Sequence, residues 1–265
     1  MQRYGWDKAA QRYERAWQAQ LEPAQTAMLD MAGPIPGKRV LDVACGTGLV
    51  TFRAAALVAP GGGVVGTDLS EEMVAMARER ARAGAVANVA FERMDAENLA
   101  FDADTFDVAL CALGLMYVPD PEKAVREFNR VLRPGGRTAC AVWGQRSRCG
   151  WAEIFPIVDA RVQSEVCPMF FRLGTGNALE RAFAEAGFTA VSCRRLSTRL
   201  AYGSPAEACE AAFAGGPVAL AYSRFTDELK AAAHGEYLHS IEAYREGAGY
   251  SVPGEFVIVA GTKQE

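Results

Sequence analysis

The hydrophobic and polar positions of this chain follow two rhythms, and the switching between them predicts a repeated strand and helix order. Short runs of apolar, β-prone residues stand at 40–43, 64–67, 89–92, 107–113 and 138–143. Between them, apolar residues recur at three and four over 49–57, 71–83 and 121–132, as one buried helix face requires. Ser70 suits a helix N-cap, with Glu71 and Glu72 in the first turn, and Gly84 closes that helix. Asp120 suits another N-cap, followed by Pro121 at the first helical position. Strands alternating with helices of this length predict an α/β, doubly wound fold around a parallel sheet.

The flanks read differently. Trp6, Ala9, Ala10, Tyr13, Ala16 and Trp17 form an aromatic stripe in a helical stretch over 6–32, which Gly33-Pro34-Ile35-Pro36-Gly37 ends. After 143 the pattern predicts helices near 151–158 and 179–186, an apolar patch Met169-Phe170-Phe171, a strand over 190–200, an alanine-rich helical stretch over 204–247 and a last strand over 255–261.

Candidate chemistry concentrates where the first strand becomes a helix, at Val40-Leu41-Asp42-Val43-Ala44-Cys45-Gly46-Thr47-Gly48-Leu49-Val50. Glycines at 46 and 48 lack a Cβ, so a ligand can lie against the backbone while amide donors at the helix start face it. Asp68 ends the next strand, 20 residues after Gly48. In a doubly wound sheet that carboxylate can accept from both hydroxyls of a ribose. The third glycine of the dinucleotide fingerprint is replaced by Thr51, which argues against a pyrophosphate across the turn.

Asp42-Val-Ala-Cys-Gly-Thr-Gly resembles motif I of class I S-adenosylmethionine-dependent methyltransferases, in the group similar to the ubiquinone and menaquinone biosynthesis enzymes. Three further blocks match in order: Gly66-Thr67-Asp68-Leu69-Ser70 with Met73; Met94-Asp95-Ala96-Glu97-Asn98-Leu99 with Phe101 and Phe106-Asp107-Val108; and Arg130-Val131-Leu132-Arg133-Pro134-Gly135-Gly136. The resemblance covers residues 38 to 145. It implies a Rossmann-like seven-stranded sheet whose strands six and seven are antiparallel, here separated by a helical insert. Residues 1–37 are then a helical lid, 38–203 with 253–265 the cofactor-binding core, and 204–252 an insert or cap.

The same resemblance implies S-adenosyl-L-methionine as cofactor and S-adenosyl-L-homocysteine as product. Carried over by motif, Asp42, Ala44, Gly46, Thr47 and Gly48 surround the methionine moiety. Asp68, Leu69 and Met73 hold the ribose and adenine, Asp95, Ala96 and Glu97 the adenine edge, and Cys111 and Ala112 the floor. Tyr13 and Trp17 fold over the ligand. The acceptor pocket falls to Leu113, Met116, Tyr117, Trp151, Phe155, Phe170 and Phe171, an apolar set that suits a hydrophobic or aromatic small molecule.

S-adenosylmethionine carries its own activated methyl, so in-line positioning and exclusion of water are the enzyme's main tasks, whether the acceptor atom is O, N or C. Relatives carry histidines where Met116 and Tyr117 stand. If a proton must leave, Tyr117, His234 and His239 are the candidate bases. Two other readings stay open: a nicotinamide-dependent Rossmann oxidoreductase, and a non-catalytic S-adenosylmethionine-binding protein.

Composition narrows the partners. The 265 residues carry a formal net charge of -4, so a phosphate-tracking nucleic-acid surface is not expected. Seven cysteines lie scattered at 45, 111, 140, 149, 167, 193 and 209, without paired spacing, and the two histidines stand five apart. We therefore expect reduced thiols, no metal site and a cytoplasmic protein, monomer or homodimer, without a membrane-spanning segment.

Overall fold

A computed structural model of the chain describes residues 2–162 and 170–265, with side chains from Trp17 onward. Tyr13's side chain and Met169 therefore lie outside the described residues. Helix α1 (Gln2–Ala32) precedes the sheet. Strands β1 (Arg39–Val43), β2 (Gly63–Asp68), β3 (Val89–Arg93), β4 (Phe106–Ala112) and β5 (Leu132–Trp143) then alternate with helices α2 (Leu49–Val58), α3 (Glu71–Ala83) and α4 (Pro121–Val131). Short helices α5 (Ile154–Asp159) and α6 (Ala178–Glu185) lead to β6 (Phe188–Tyr202). Helices α7 (Pro205–Cys209), α8 (Ala219–Tyr222) and α9 (Asp227–Ser240) separate it from β7 (Arg245–Glu246) and β8 (Gly249–Lys263).

The sheet order is β3-β2-β1-β4-β5-β8-β6, with β7 paired to β8. The five strands β1 to β5 are parallel. β8 is antiparallel to both β5 and β6, and the reversal of strand order between β1 and β4 creates the switch point where α/β sheets bind ligands. The expected seven strands are present, and β7 adds an eighth of two residues. It forms because Gly247 turns the chain at φ 60°, letting Arg245 and Glu246 double back on Gly249 and Tyr250. The stretch over 204–247 is thus helical only to Tyr244, and it contains a short π-helical turn at Glu210–Ala214.

Local chemistry agrees with the caps read from the sequence. Ser70 Oγ accepts from the Met73 amide at 3.2 Å, and an Asp120 carboxylate oxygen accepts from the Lys123 amide at 2.8 Å. Along α1, Trp17, Leu21, Ala24, Met28 and Ala32 are buried at helical spacing. β1 is buried on both faces from Val40 to Val43, as expected of a central parallel strand, and this includes the carboxyl group of Asp42.

Candidate active site

The carboxyl ends of β1, β2 and β4 frame a cleft of about 270 Å³. Ala44 and Gly46 from the first turn, Asp68, Leu69 and Met73 from the second, and Asp95, Ala96 and Glu97 from the third line it. Ala112, Leu113, Gly114 and Tyr117 close the far side. These come from three of the four motif blocks and the β4 terminus, so the topology assembles what the sequence scatters over 70 residues or more.

Asp68 organises the first two turns. Its Oδ2 accepts from the Gly46 amide at 2.8 Å and its Oδ1 from the Ser70 amide at 2.9 Å. The third wall is fixed from behind. Asp95 Oδ1 accepts from the Glu97 amide at 2.9 Å, Glu97 Oε1 accepts from the Asp120 amide at 2.9 Å, and Glu127 accepts from the Leu99 amide at 2.9 Å. Arg130 completes that brace by donating to the Leu99 and Phe101 carbonyls and to Glu127.

The two glycines have different roles. Gly46 has φ 56°, and a Cβ added there would meet nothing within 4 Å, so open cleft lies where a side chain would be. Gly48 is the left-handed N-cap of α2 at φ 92°, and a Cβ there would come within 2.7 Å of the Phe52 ring. Gly46 therefore leaves the cleft open at this point, whereas Gly48 serves the turn and its packing. Leu113, at φ 59°, and Gly114 form a tight crossing behind the cleft, where an added Cβ at 114 would sit 2.3 Å from Ala44 Cβ. Gly114→Ala is expected to lower stability by about 1–3 kcal/mol through overpacking. Thermal melts should show a fall of several degrees, together with weaker ligand binding as the Ala44 turn is displaced.

Asp42 lies behind the cleft rather than in it. Its Oδ2 accepts from Thr51 Oγ1 at 2.6 Å, while Oδ1 is buried with no hydrogen-bond partner. Burial pushes its pKa up to about 7, partly countered by the Thr51 hydroxyl, and the nearby Asp68 charge adds to the rise. An unfolded aspartate ionises near about 3.9. The folded state is thus penalised progressively as pH rises from there to about 7 and fully above it, whereas below the unfolded pKa the penalty vanishes. Asp42→Asn should therefore stabilise the free protein by about 2 kcal/mol at pH 8 and by almost nothing at pH 4. Urea unfolding of both proteins across that range checks the sign.

Several residues expected at the site stand elsewhere. Trp17 is buried against Trp143 and Trp151, with ring centroids 5.9 and 6.2 Å away, because α1 packs against β5 and β8 here. Thr47 is buried under Arg80, which donates to its carbonyl at 3.0 Å. Cys111 is buried in β4, in register with Cys140 of β5. Met116 is packed in the core of the short helical turn Leu115–Tyr117.

The histidines are absent from the cleft lining because both sit on α9. His239 is exposed, and His234 Nε2 bonds the Tyr222 hydroxyl at 2.9 Å within the insert. Burial, with the Lys230 ammonium, holds His234 below the usual imidazole range. Of the three candidate bases, Tyr117 alone faces the cleft. Trp151, Phe155, Phe170 and Phe171 form one aromatic cluster, and Tyr117 joins it through Phe170 at 5.3 Å. Sequence reading passed over Met94, Val118 and Pro119 as lining, and over Trp143, whose position at the carboxyl end of β5 was a usable signal.

Among the described residues, the acidic groups Asp68, Asp95 and Glu97 line the cleft and no lysine or arginine does. Such a lining favours a cationic ligand and repels a pyrophosphate. No described helix is long and apolar enough to cross a membrane.

Residues 40–136 match the family described as methyltransferase domain. Over 110 residues the chain is 44% identical to the ubiquinone/menaquinone biosynthesis C-methyltransferase of Ectopseudomonas mendocina, covering 41% of this chain and 43% of that one. Over 120 residues it is 37% identical to the demethylmenaquinone methyltransferase of Bacillus cytotoxicus, covering 45% and 51%. The chain thus spans about half, or less, of the length of these curated relatives. Among solved structures, the YcgJ protein of Bacillus subtilis shares the fold at TM-score 0.65 and 20% identity, over 92% of this chain and 99% of that one. The [4+2]-cyclase SpnF shares it at 0.59 and 22%, over 94% and 83%, so the fold by itself does not carry methyl transfer. Over this motif region the chain is therefore similar to the class I S-adenosylmethionine-dependent methyltransferases of the ubiquinone and menaquinone biosynthesis group.

Proposed function

We propose that the protein transfers a methyl group from S-adenosylmethionine to a hydrophobic or aromatic small molecule. The observation that carries this reading is the cleft itself: a lining whose charged groups, among the described residues, are all acidic, an open Cβ position at Gly46, and the buried, unpartnered Asp42 Oδ1 directly behind. A cofactor with a cationic sulfonium and ammonium, a ribose and an adenine fits each of these features. The lining offers no counter-charge to a pyrophosphate among the described residues, which favours this reading over the oxidoreductase alternative.

In this reading Asp68, which also accepts from the Gly46 and Ser70 amides, accepts from the ribose hydroxyls. Asp95 and the Ala96 backbone read the adenine edge, while Leu69 and Met73 cover its faces. Bound there, the cofactor supplies a methyl group already activated on sulfur. The chain's task is then to align the acceptor and keep water out, which in well-oriented systems recovers roughly 7–11 kcal/mol of barrier. Leu113 and Tyr117 stand between the cleft and the aromatic cluster, so the acceptor enters on their side. In this reading Tyr117, on the wall the acceptor passes, offers its hydroxyl as a hydrogen-bond partner to it. Helix α1 acts as a lid and the segment between β6 and β8 as a roof.

The test has two stages. Calorimetry with S-adenosylhomocysteine should show one-site binding, with NAD giving no heat. Label from methyl-labelled S-adenosylmethionine should then appear in members of a panel of phenols, quinones and amines. Heat with NAD and none with S-adenosylhomocysteine would overturn the reading. Binding without turnover of any panel member would favour a cofactor-binding protein without catalysis.

A further inference from the structure

A second, smaller cavity of about 20 Å³ lies behind the cleft and shares two walls with it, Leu113 and Tyr117. Its other walls are Trp17 from α1, Trp143 from the end of β5, Trp151, and the Gly215-Gly216-Pro217 turn of the insert. The three tryptophans meet edge to face, Trp143 and Trp151 at 4.8 Å between centroids. Trp17 Nε1 and Trp151 Nε1 are both buried without a hydrogen-bond partner. Two such donors on residues that line one cavity are unusual, since buried polar groups are nearly always satisfied.

We infer that Trp17 and Trp151 are specificity-determining residues that recognise an uncharged oxygen of the methyl acceptor through their indole N–H groups. This rests on the methyltransferase reading and narrows its substrate class. An indole N–H only donates, so its partner must accept, as a carbonyl, phenol or ether oxygen does and an ammonium does not. Among the described residues no charged side chain lines the cavity, so a carboxylate or phosphate would enter without a counter-charge from them. The free volume holds about one water-sized atom. The acceptor therefore places an oxygen between the two indoles while its ring lies along Leu113 and Tyr117, toward the cleft. Trp17, expected from sequence to cover the cofactor, thus serves the acceptor.

The test uses the full chain saturated with S-adenosylhomocysteine and three probes of one shape: 2-naphthol, 2-methylnaphthalene and protonated 2-naphthylmethylamine. Wild-type protein should bind 2-naphthol about tenfold more tightly than 2-methylnaphthalene, with the amine weakest. Trp17→Phe and Trp151→Phe keep an aromatic ring and delete the donor. Each should remove part of the naphthol preference, and the double variant all of it. S-adenosylhomocysteine affinity, measured beside them, separates this inference from the parent reading: no cofactor binding by wild-type protein would sink both. Normal cofactor binding with an undiminished naphthol preference in Trp17→Phe and Trp151→Phe would sink this one alone. So would failure of any probe to bind, or tightest binding of the amine. If the double variant does not fold, the single variants carry the comparison.

Discussion

Asp68→Ala is expected to weaken S-adenosylhomocysteine binding about a hundredfold, a loss of roughly 3 kcal/mol. The carboxylate acts on two sides at once. Toward the protein it joins the Gly46 turn to the start of α3 through the Gly46 and Ser70 amides. Toward the cleft it is the acceptor proposed for the ribose. Alanine would remove that proposed contact and leave the Gly46 and Ser70 amides without this acceptor, so the Gly46 turn should loosen as well. Asp68→Asn should fall between, because its amide can accept from one of those N–H groups but not from both. A further consequence reaches Asp42: with the Asp68 charge gone, one cause of its raised pKa disappears, and its titration should move down from about 7. Calorimetry at pH 8 reads the affinity, and unchanged affinity in Asp68→Ala would place the sugar elsewhere.

Much of this arrangement was readable before any coordinates, and the reason is local. Ser70, Asp120 with Pro121, and the Gly46 and Gly48 pair act within a few residues of themselves, so the strand and helix order and the caps follow from short-range rules. The parallel sheet then delivers Ala44, Asp68, Asp95 and Ala112 to one edge without further information. What failed was long-range. Nothing near Trp17 in the chain states that it meets Trp143 and Trp151, and nothing near His234 states that Tyr222 is its partner. A histidine looks the same in sequence whether it faces a cleft or is held within a helical insert. Asp42 was legible as a motif residue but not as a buried acid, because burial on both faces of β1 comes from strands β2 and β4. The split between Gly46 and Gly48 was hidden for the same kind of reason: both lie in one turn, and only the position of the Phe52 ring distinguishes them.

That split yields the second large expected effect. Gly46→Val should abolish detectable S-adenosylhomocysteine binding, a loss of more than about a hundredfold, while the protein still unfolds cooperatively. At φ 56° a branched side chain costs about 1–2 kcal/mol of backbone strain, which a domain of this size survives. Its methyl groups would meet no protein atom near the Cβ, and would instead fill the part of the cleft assigned to the ligand. Gly48→Val should behave in the opposite sense. Its Cβ would lie 2.7 Å from the Phe52 ring, so the cost falls first on stability, adding overpacking of about 1–3 kcal/mol to the strain at φ 92°. Measured together, the pair distinguishes a glycine kept for a ligand from one kept for packing. Tight binding by a folded Gly46→Val protein would show that the methionine moiety does not lie against this turn, and the assignment of the acidic cleft would have to be made again from its other walls.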